Sequence, residues 1–103
     1  MRYGLTDTEI CQMQAVFAAH GEVEKVVLYG SRAKGNFQKY SDIDLTLFGD
    51  GLNLTVKGKI EDEIDDLLLP YKLDANLWAH LDNPALRDHI RRVGKILFER
   101  NAG

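Results

Sequence analysis

The sequence is poor in several features that would define a protein class. It contains one cysteine, two prolines and no long hydrophobic run. Since a disulfide needs two thiols and a cysteine zinc site needs several, Cys11 excludes both within this chain, and we expect it to be a small buried thiol on the first helix. No stretch reaches the roughly 20 apolar residues of a membrane helix, and the start, MRYGLTDTE, has no apolar signal region. We therefore expect a cytoplasmic protein with no membrane contact.

The sequence also has no excess of positive charge. The formal net charge is -3 and the pI is about 5.5, so binding of nucleic acid through bulk charge is not expected. With 103 residues, 45% hydrophobic and 28% charged, the composition is that of an ordinary globular protein. A chain of this length supports one hydrophobic core, which predicts a single domain over residues 1–103.

Hydrophobic periodicity predicts helices alternating with strands. Thr6 and Glu9 have the spacing of a capping box, so a helix is expected to begin at Asp7 and to end before Gly21. The other predicted elements, in chain order, are a strand at Lys25–Tyr29, a strand at Asp42–Phe48, a helix at Leu54–Leu69, a strand at Lys72–Trp78, a helix from Pro84 to Gly94, and a strand at Lys95–Glu99.

The turn after the first strand has the chemistry of a phosphate site. Gly30-Ser31 interrupts the apolar run, and the residues that follow can form a short helical turn before Gly35. A strand that leads into a helix start presents backbone N–H groups and a hydroxyl, both suited to a phosphate oxygen. Arg32 and Lys34 are nearby cations and are further candidates for phosphate binding.

Ten residues after Ser31 comes Asp42-Ile43-Asp44, at the start of the second strand. Alternation places Asp42 and Asp44 on one face, roughly 6–7 Å apart along the strand. Magnesium is commonly held by one or two carboxylates together with substrate phosphates and waters, so this pair is a candidate Mg²⁺ site. The alternative is that Asp42 caps a turn and Asp44 faces solvent. The Gly-Ser turn at this spacing favours the site.

A third carboxylate, Asp74, lies in the middle of the third predicted strand, where aspartate is disfavoured by propensity. If this strand lies beside the Asp42–Asp44 strand, Asp74 completes a cluster of three. The alternative is an aspartate on a half-exposed sheet. Other polar residues are expected at the surface; these are the acidic run of the Leu54–Leu69 helix and the histidines His80 and His89.

The pattern Gly30-Ser31, ten residues, Asp42-x-Asp44, with Asp74 in a later strand, resembles the DNA polymerase β-like nucleotidyltransferase superfamily. The form GSRAKG…SDIDL and the short length resemble its minimal nucleotidyltransferase (MNT) branch. The resemblance implies an α/β (α+β) fold with a mixed β-sheet backed by helices. It also implies that Gly30 and Ser31 hold the triphosphate of ATP and that Asp42 and Asp44 bind two Mg²⁺ ions. Asp74 would share a metal and accept the proton of the attacking hydroxyl.

MNT proteins resemble antitoxins that act on an HEPN-domain partner, so the resemblance implies transfer of AMP to a tyrosine hydroxyl of such a partner within a hetero-oligomer. Three alternatives remain open from the sequence. One is a small-molecule nucleotidyltransferase of the aminoglycoside type that needs a partner subunit. Another is a non-catalytic antitoxin that inhibits its partner by binding alone. The third is an α/β domain whose carboxylates are incidental.

Overall fold

The computed structural model describes residues 1–100. Its elements, in chain order, are α1 (Asp7–Ala19), β1 (Lys25–Tyr29), α2 (Gly30–Lys34), β2 (Ile43–Phe48), α3 (Leu54–Asp65), β3 (Leu73–Leu77), a 3₁₀ turn (Trp78–His80), α4 (Pro84–Val93) and β4 (Lys95–Glu99). The last three residues of the predicted 1–103 domain lie outside the described range. No helix within residues 1–100 is both long and apolar enough to cross a membrane.

The four strands form one mixed sheet in the order β3-β2-β1-β4. Strand β1 pairs antiparallel with both β2 and β4, whereas β2 and β3 run parallel. The expected α/β fold with a mixed sheet backed by helices is therefore confirmed.

The sheet has two unlike faces because side chains alternate along each strand. One face packs against α1 and α3 and holds the main core, whose central members are Phe17, Val26, Leu28, Leu45 and Ile60. On the opposite face, Val27 and Tyr29 pack against Ile90 of α4. Two carboxylates of the predicted site, Asp44 and Asp74, belong to this second face, where Asp74 is exposed.

Local signals place most helix ends correctly. Thr6 and Glu9 form the predicted capping box, with Glu9 N–H donating to Thr6 Oγ1 and Thr6 N–H donating to Glu9 Oε1. Asn53 and Asn83 cap α3 and α4 through their side-chain oxygens. Gly94 ends α4 as expected.

Two expectations about these helices are wrong. Helix α3 ends at Asp65 rather than Leu69, and Leu68, which was expected within the helix, has a φ of 57° and is 87% exposed. Cys11 was expected to be buried, but its thiol is exposed because the core side of α1 is formed by Ile10, Met13 and Phe17.

Candidate active site

Strand register brings two of the predicted carboxylates side by side. In the β1–β2 pair Asp44 lies opposite Tyr29, and in the parallel β2–β3 pair it lies opposite Asp74. Asp44 thus occupies the middle of a row that crosses three strands. Asp42 was predicted to be the first residue of this strand, but β2 begins at Ile43, so Asp42 lies one residue before it and is exposed.

The environment of Asp44 disfavours its charge. Burial raises the pKa of this carboxyl above its usual value, and the neighbouring charges of Asp74 and Asp42 raise it further. Arg32 and His89 act in the opposite direction but do not cancel these effects on the pKa. Neighbouring carboxylates placed at this cost are expected where a cation binds, because a cation would favour the charged form of Asp44.

Behind the carboxylates lies a second row of polar groups. Asn76 Nδ2 donates a 2.6 Å hydrogen bond to Tyr29 Oη, and Thr46 lies opposite Asn76 in the register. Burial raises the pKa of the Tyr29 phenol, the Asn76 hydrogen bond lowers it, and the charges of Asp44 and Asp74 raise it. Within residues 1–100, the buried atoms Thr46 Oγ1 and Asn76 Oδ1 have no hydrogen-bond partner. The polar character of this face therefore continues beneath the site.

The Gly30-Ser31 turn lies directly against Asp44. Helix α2 begins at Gly30, whose φ of 74° is in the left-handed region. A Cβ added at Gly30 would overlap Asp44 Oδ2, so only glycine leaves room for the carboxylate. The sequence predicted that the turn and the aspartate belong to one site, and the structure places them together.

Arg32 does not have the contacts of a phosphate ligand. Its side chain is 1% exposed, and its guanidinium donates to Tyr3 O and twice to Ser41 O. The ring of Tyr71 lies under the guanidinium, with Arg32 Cζ 4.5 Å from the ring centroid. These contacts give Arg32 a structural role in place of the expected phosphate binding. The side chain links α2 to the N-terminal turn and to Ser41, the residue before Asp42. Lys34 is exposed at the end of α2.

His89 was expected to be a surface residue, and the structure places it against Gly30 and Tyr29. Gly30 N–H donates to His89 Nε2 at 3.3 Å, and the imidazole meets the Tyr29 ring edge-on. Sequence spacing gave no sign of this contact, because the two residues are 59 positions apart. His80 is exposed, as expected.

The carboxylates suit a magnesium ion that also binds a substrate. Among the described residues, no three acidic, histidine or cysteine side chains are grouped closely enough to hold a metal by themselves. Magnesium is usually bound by one or two carboxylates and by phosphate oxygens, and does not require a complete protein cage. Asp42, Asp44 and Asp74 offer the hard oxygen donors that such a metal–nucleotide complex needs.

Comparisons with known proteins identify relatives of this chain. The family model described as "Polymerase beta, Nucleotidyltransferase" matches residues 12–103. A Haemophilus influenzae protein named "Probable protein adenylyltransferase MntA" is 30% identical over 73 residues, which cover 70% of this chain and 63% of that protein. The chain therefore spans less than two thirds of this curated relative.

Solved structures share the fold at low sequence identity. A toxin–antitoxin crystal structure with AMP-PNP aligns with a TM-score of 0.70 and 17% identity, covering 94% of this chain and 76% of the other. A complex of tri-AMPylated Shewanella oneidensis HEPN toxin with MNT antitoxin aligns with a TM-score of 0.69 and 13% identity, covering 93% and 74%. At these identities the match establishes the fold of this chain.

Proposed function

From the premise that this chain belongs to the polymerase β nucleotidyltransferase family, we propose that it is a Mg²⁺-dependent nucleotidyltransferase. We propose that it transfers AMP from ATP to a tyrosine hydroxyl of an HEPN-type partner protein and acts as the antitoxin of that partner. The single observation that carries the proposal is the register of β2. It places Asp44 beside Asp74 on one side and against the Gly30-Ser31 turn on the other.

The relatives support the choice of donor and partner. The curated relative is named a protein adenylyltransferase, and one structural neighbour contains an ATP analogue. Another neighbour is an MNT antitoxin in complex with an AMPylated HEPN toxin. Since this chain spans 63% of the curated relative, the acceptor and the partner are part of our proposal.

Each residue of the site has a distinct role in this proposal. The Gly30-Ser31 turn contacts the triphosphate, and Asp42, Asp44 and Asp74 hold the nucleotide through Mg²⁺. When bound, Mg²⁺ would offset the mutual repulsion of the carboxylates and the charge that builds up on the phosphates. The raised pKa of Asp44 is the physical reason why a cation is expected to bind here.

The reaction is an in-line displacement at the α-phosphorus. The acceptor hydroxyl oxygen forms a bond to this phosphorus, and the bond from the phosphorus to the oxygen bridging the α- and β-phosphates breaks. Pyrophosphate leaves with that electron pair. The proton of the hydroxyl passes to a carboxylate, and Asp74 is suited to take it because its side chain is exposed on β3 and accessible to an incoming acceptor.

The proposal is tested with ATP labelled on its α-phosphate. The protein is incubated with Mg²⁺ and soluble extract of its own host, beside an Asp42→Asn/Asp44→Asn variant. We expect a labelled protein band with the wild type, identified by mass spectrometry as an HEPN-type protein carrying AMP on tyrosine. The double variant should give no band, because the metal–nucleotide complex loses two carboxylates.

An Asp62→Asn/Asp65→Asn variant is the matched control, since both residues are exposed on α3. It removes the same charge and should label as the wild type does. Labelling by the Asp42→Asn/Asp44→Asn variant would rule out the proposed site. If that variant labels nothing yet still neutralises the partner in cells, inhibition by binding replaces adenylyl transfer as the function.

A further inference from the structure

A contact between distant parts of the chain joins the Gly30-Ser31 turn to helix α4. The Gly30 N–H donates to His89 Nε2 at 3.3 Å, and the His89 ring lies edge-on to Tyr29, with 6.1 Å between ring centroids. His89 is thus in contact with the last residue of β1 and the first residue of α2. No other side chain among the described residues hydrogen-bonds to the Gly30 amide.

The position of the imidazole is fixed by its neighbours on α4. Ile90, the next residue, is 3% exposed and packs with Val27 and Tyr29 on this face of the sheet. Ile90 therefore anchors this part of α4 to the sheet, next to His89. The N–H contact requires an unprotonated Nε2, which places the single ring proton of a neutral imidazole on Nδ1.

The contact lies at the turn beside Asp44. Gly30 has a φ of 74°, its N–H meets the imidazole, and the absence of a Cβ leaves room for the Asp44 carboxylate. Since the Gly30 N–H is already bonded to His89, the contribution of Gly30 to a phosphate site is the space left by its missing Cβ. The peptide that His89 contacts is the one that joins Tyr29 to Gly30, where β1 ends and the turn begins.

We propose that His89 is a positioning residue of the nucleotide site, which holds the Gly30-Ser31 turn in the orientation that binds Mg²⁺·ATP against Asp44. The inference rests on the proposed function. It deepens that function by assigning a role to a residue of α4, outside the Gly-Ser and Asp-x-Asp segments.

Two substitutions separate the positioning role from general packing. Glutamine can place an acceptor oxygen near the position of Nε2, whereas asparagine can place one only near Nδ1. We expect the dissociation constant of Mg²⁺·ATP, measured by calorimetry, to rise about tenfold in His89→Asn, the scale of one lost hydrogen bond. His89→Gln should stay within about threefold of the wild type, since it keeps the acceptor.

The control is His80→Asn, because His80 is exposed and belongs to the 3₁₀ turn. It should bind Mg²⁺·ATP as the wild type does. Equal binding by His89→Asn, His89→Gln and wild type would overturn the positioning role. A wild type that binds no Mg²⁺·ATP would instead overturn the proposed function, and the positioning role would fall with it.

A measurement on the unmodified protein tests the contact without any nucleotide. Long-range ¹⁵N–¹H correlation spectra of the imidazole report which nitrogen carries the proton at a pH where the ring is neutral. We expect the proton of His89 on Nδ1. A proton on Nε2 would contradict the contact with the Gly30 N–H and so overturn the proposal, even if both variants failed to fold.

Discussion

A buried guanidinium organises the segment that leads to the aspartate strand. Arg32 Nη1 donates to Tyr3 O at 2.8 Å, and Nε and Nη2 donate to Ser41 O at 3.1 and 2.8 Å. A lysine has one charged nitrogen and cannot reproduce this fork. We expect Arg32→Lys to lower the free energy of unfolding by about 2–3 kcal/mol, the scale of hydrogen bonds made by a charged group. Chemical denaturation measures this change.

The neighbouring cation Lys34 provides the control, because it is exposed on the same short helix. Lys34→Met should change the free energy of unfolding by no more than about 0.5 kcal/mol. Equal effects of the two substitutions would show that the Arg32 contacts do not stabilise the fold.

Position 30 requires glycine for two reasons, its positive φ and the close approach of Asp44. A comparison with Gly35 distinguishes the two, because only the first reason applies there. Both residues have positive φ angles, 74° and 87°, but a Cβ would overlap Asp44 Oδ2 only at Gly30 and would meet open space at Gly35. We expect Gly35→Ala to cost about 1–2 kcal/mol of stability from backbone strain alone. Gly30→Ala should cost more and should also weaken Mg²⁺·ATP binding, because Asp44 must move.

Unfolding free energies and calorimetric binding constants for the two alanine variants test this difference. If Gly30→Ala binds Mg²⁺·ATP as tightly as Gly35→Ala does, the close packing of the turn against Asp44 has no role in nucleotide binding.

At this scale, the sequence is informative about residues whose chemistry is local. Asp42 and Asp44 are indicated by their alternation at the start of the predicted strand Asp42–Phe48, and Gly30 is indicated by its place at the end of a strand. Arg32 and His89 could not be assigned correctly, because their partners lie 9, 29 and 59 positions away and include backbone carbonyl and amide groups. A backbone group has no sequence signal.

At the scale of elements, the pairing of β2 with β3 makes the site unfavourable in the absence of a cation. The pKa of Asp44 is raised above the ordinary value of 3.8 by burial and by the charges of Asp74 and Asp42. Between the unfolded and folded pKa values the folded state binds the extra proton, so stability falls as pH rises through this window. Above the pKa of the folded state, this loss of stability is complete and no longer changes with pH.

Asp44→Asn should therefore be more stable than the wild type at pH 7 in the absence of metal, and the advantage should shrink as pH falls toward 3.8. Urea denaturation across this pH range measures the difference, with Asp62→Asn on the exposed side of α3 as a control. A stability difference that does not change with pH would contradict the conclusion that burial and the neighbouring carboxylates disfavour the charge of Asp44.

Elements themselves were predictable where their ends carry a local signal. The capping box of α1, the asparagine and proline at the start of α4, and the glycine at its end each act within a few residues. The end of α3 could not be predicted in this way, because the apolar pattern of its sequence continues past the helix. There Leu67 N–H and Leu68 N–H bond to carbonyls three residues back, and the chain turns at Leu68, whose φ is positive.

At the scale of the whole molecule, the site is open to a second macromolecule. Strand β3 is at one edge of the sheet formed by residues 1–100, and Asp74 is exposed on it. An acceptor hydroxyl on a partner protein can therefore approach from this edge. The fold could be predicted because the Gly-Ser and Asp-x-Asp segments resemble one superfamily. The identity of the proposed acceptor could not be predicted, because its contacts would come from residues of another chain.

The central claim is that the α-phosphate of ATP, with its adenosine, moves to a protein hydroxyl. Parallel reactions with Mg²⁺ and the HEPN-type partner should contain ATP labelled on either the α- or the γ-phosphate. We predict label on the partner from the α-labelled nucleotide alone, with the γ-label released in pyrophosphate. Label on the partner from the γ-position would mean phosphoryl transfer and would contradict the claim, as would the absence of protein label from both.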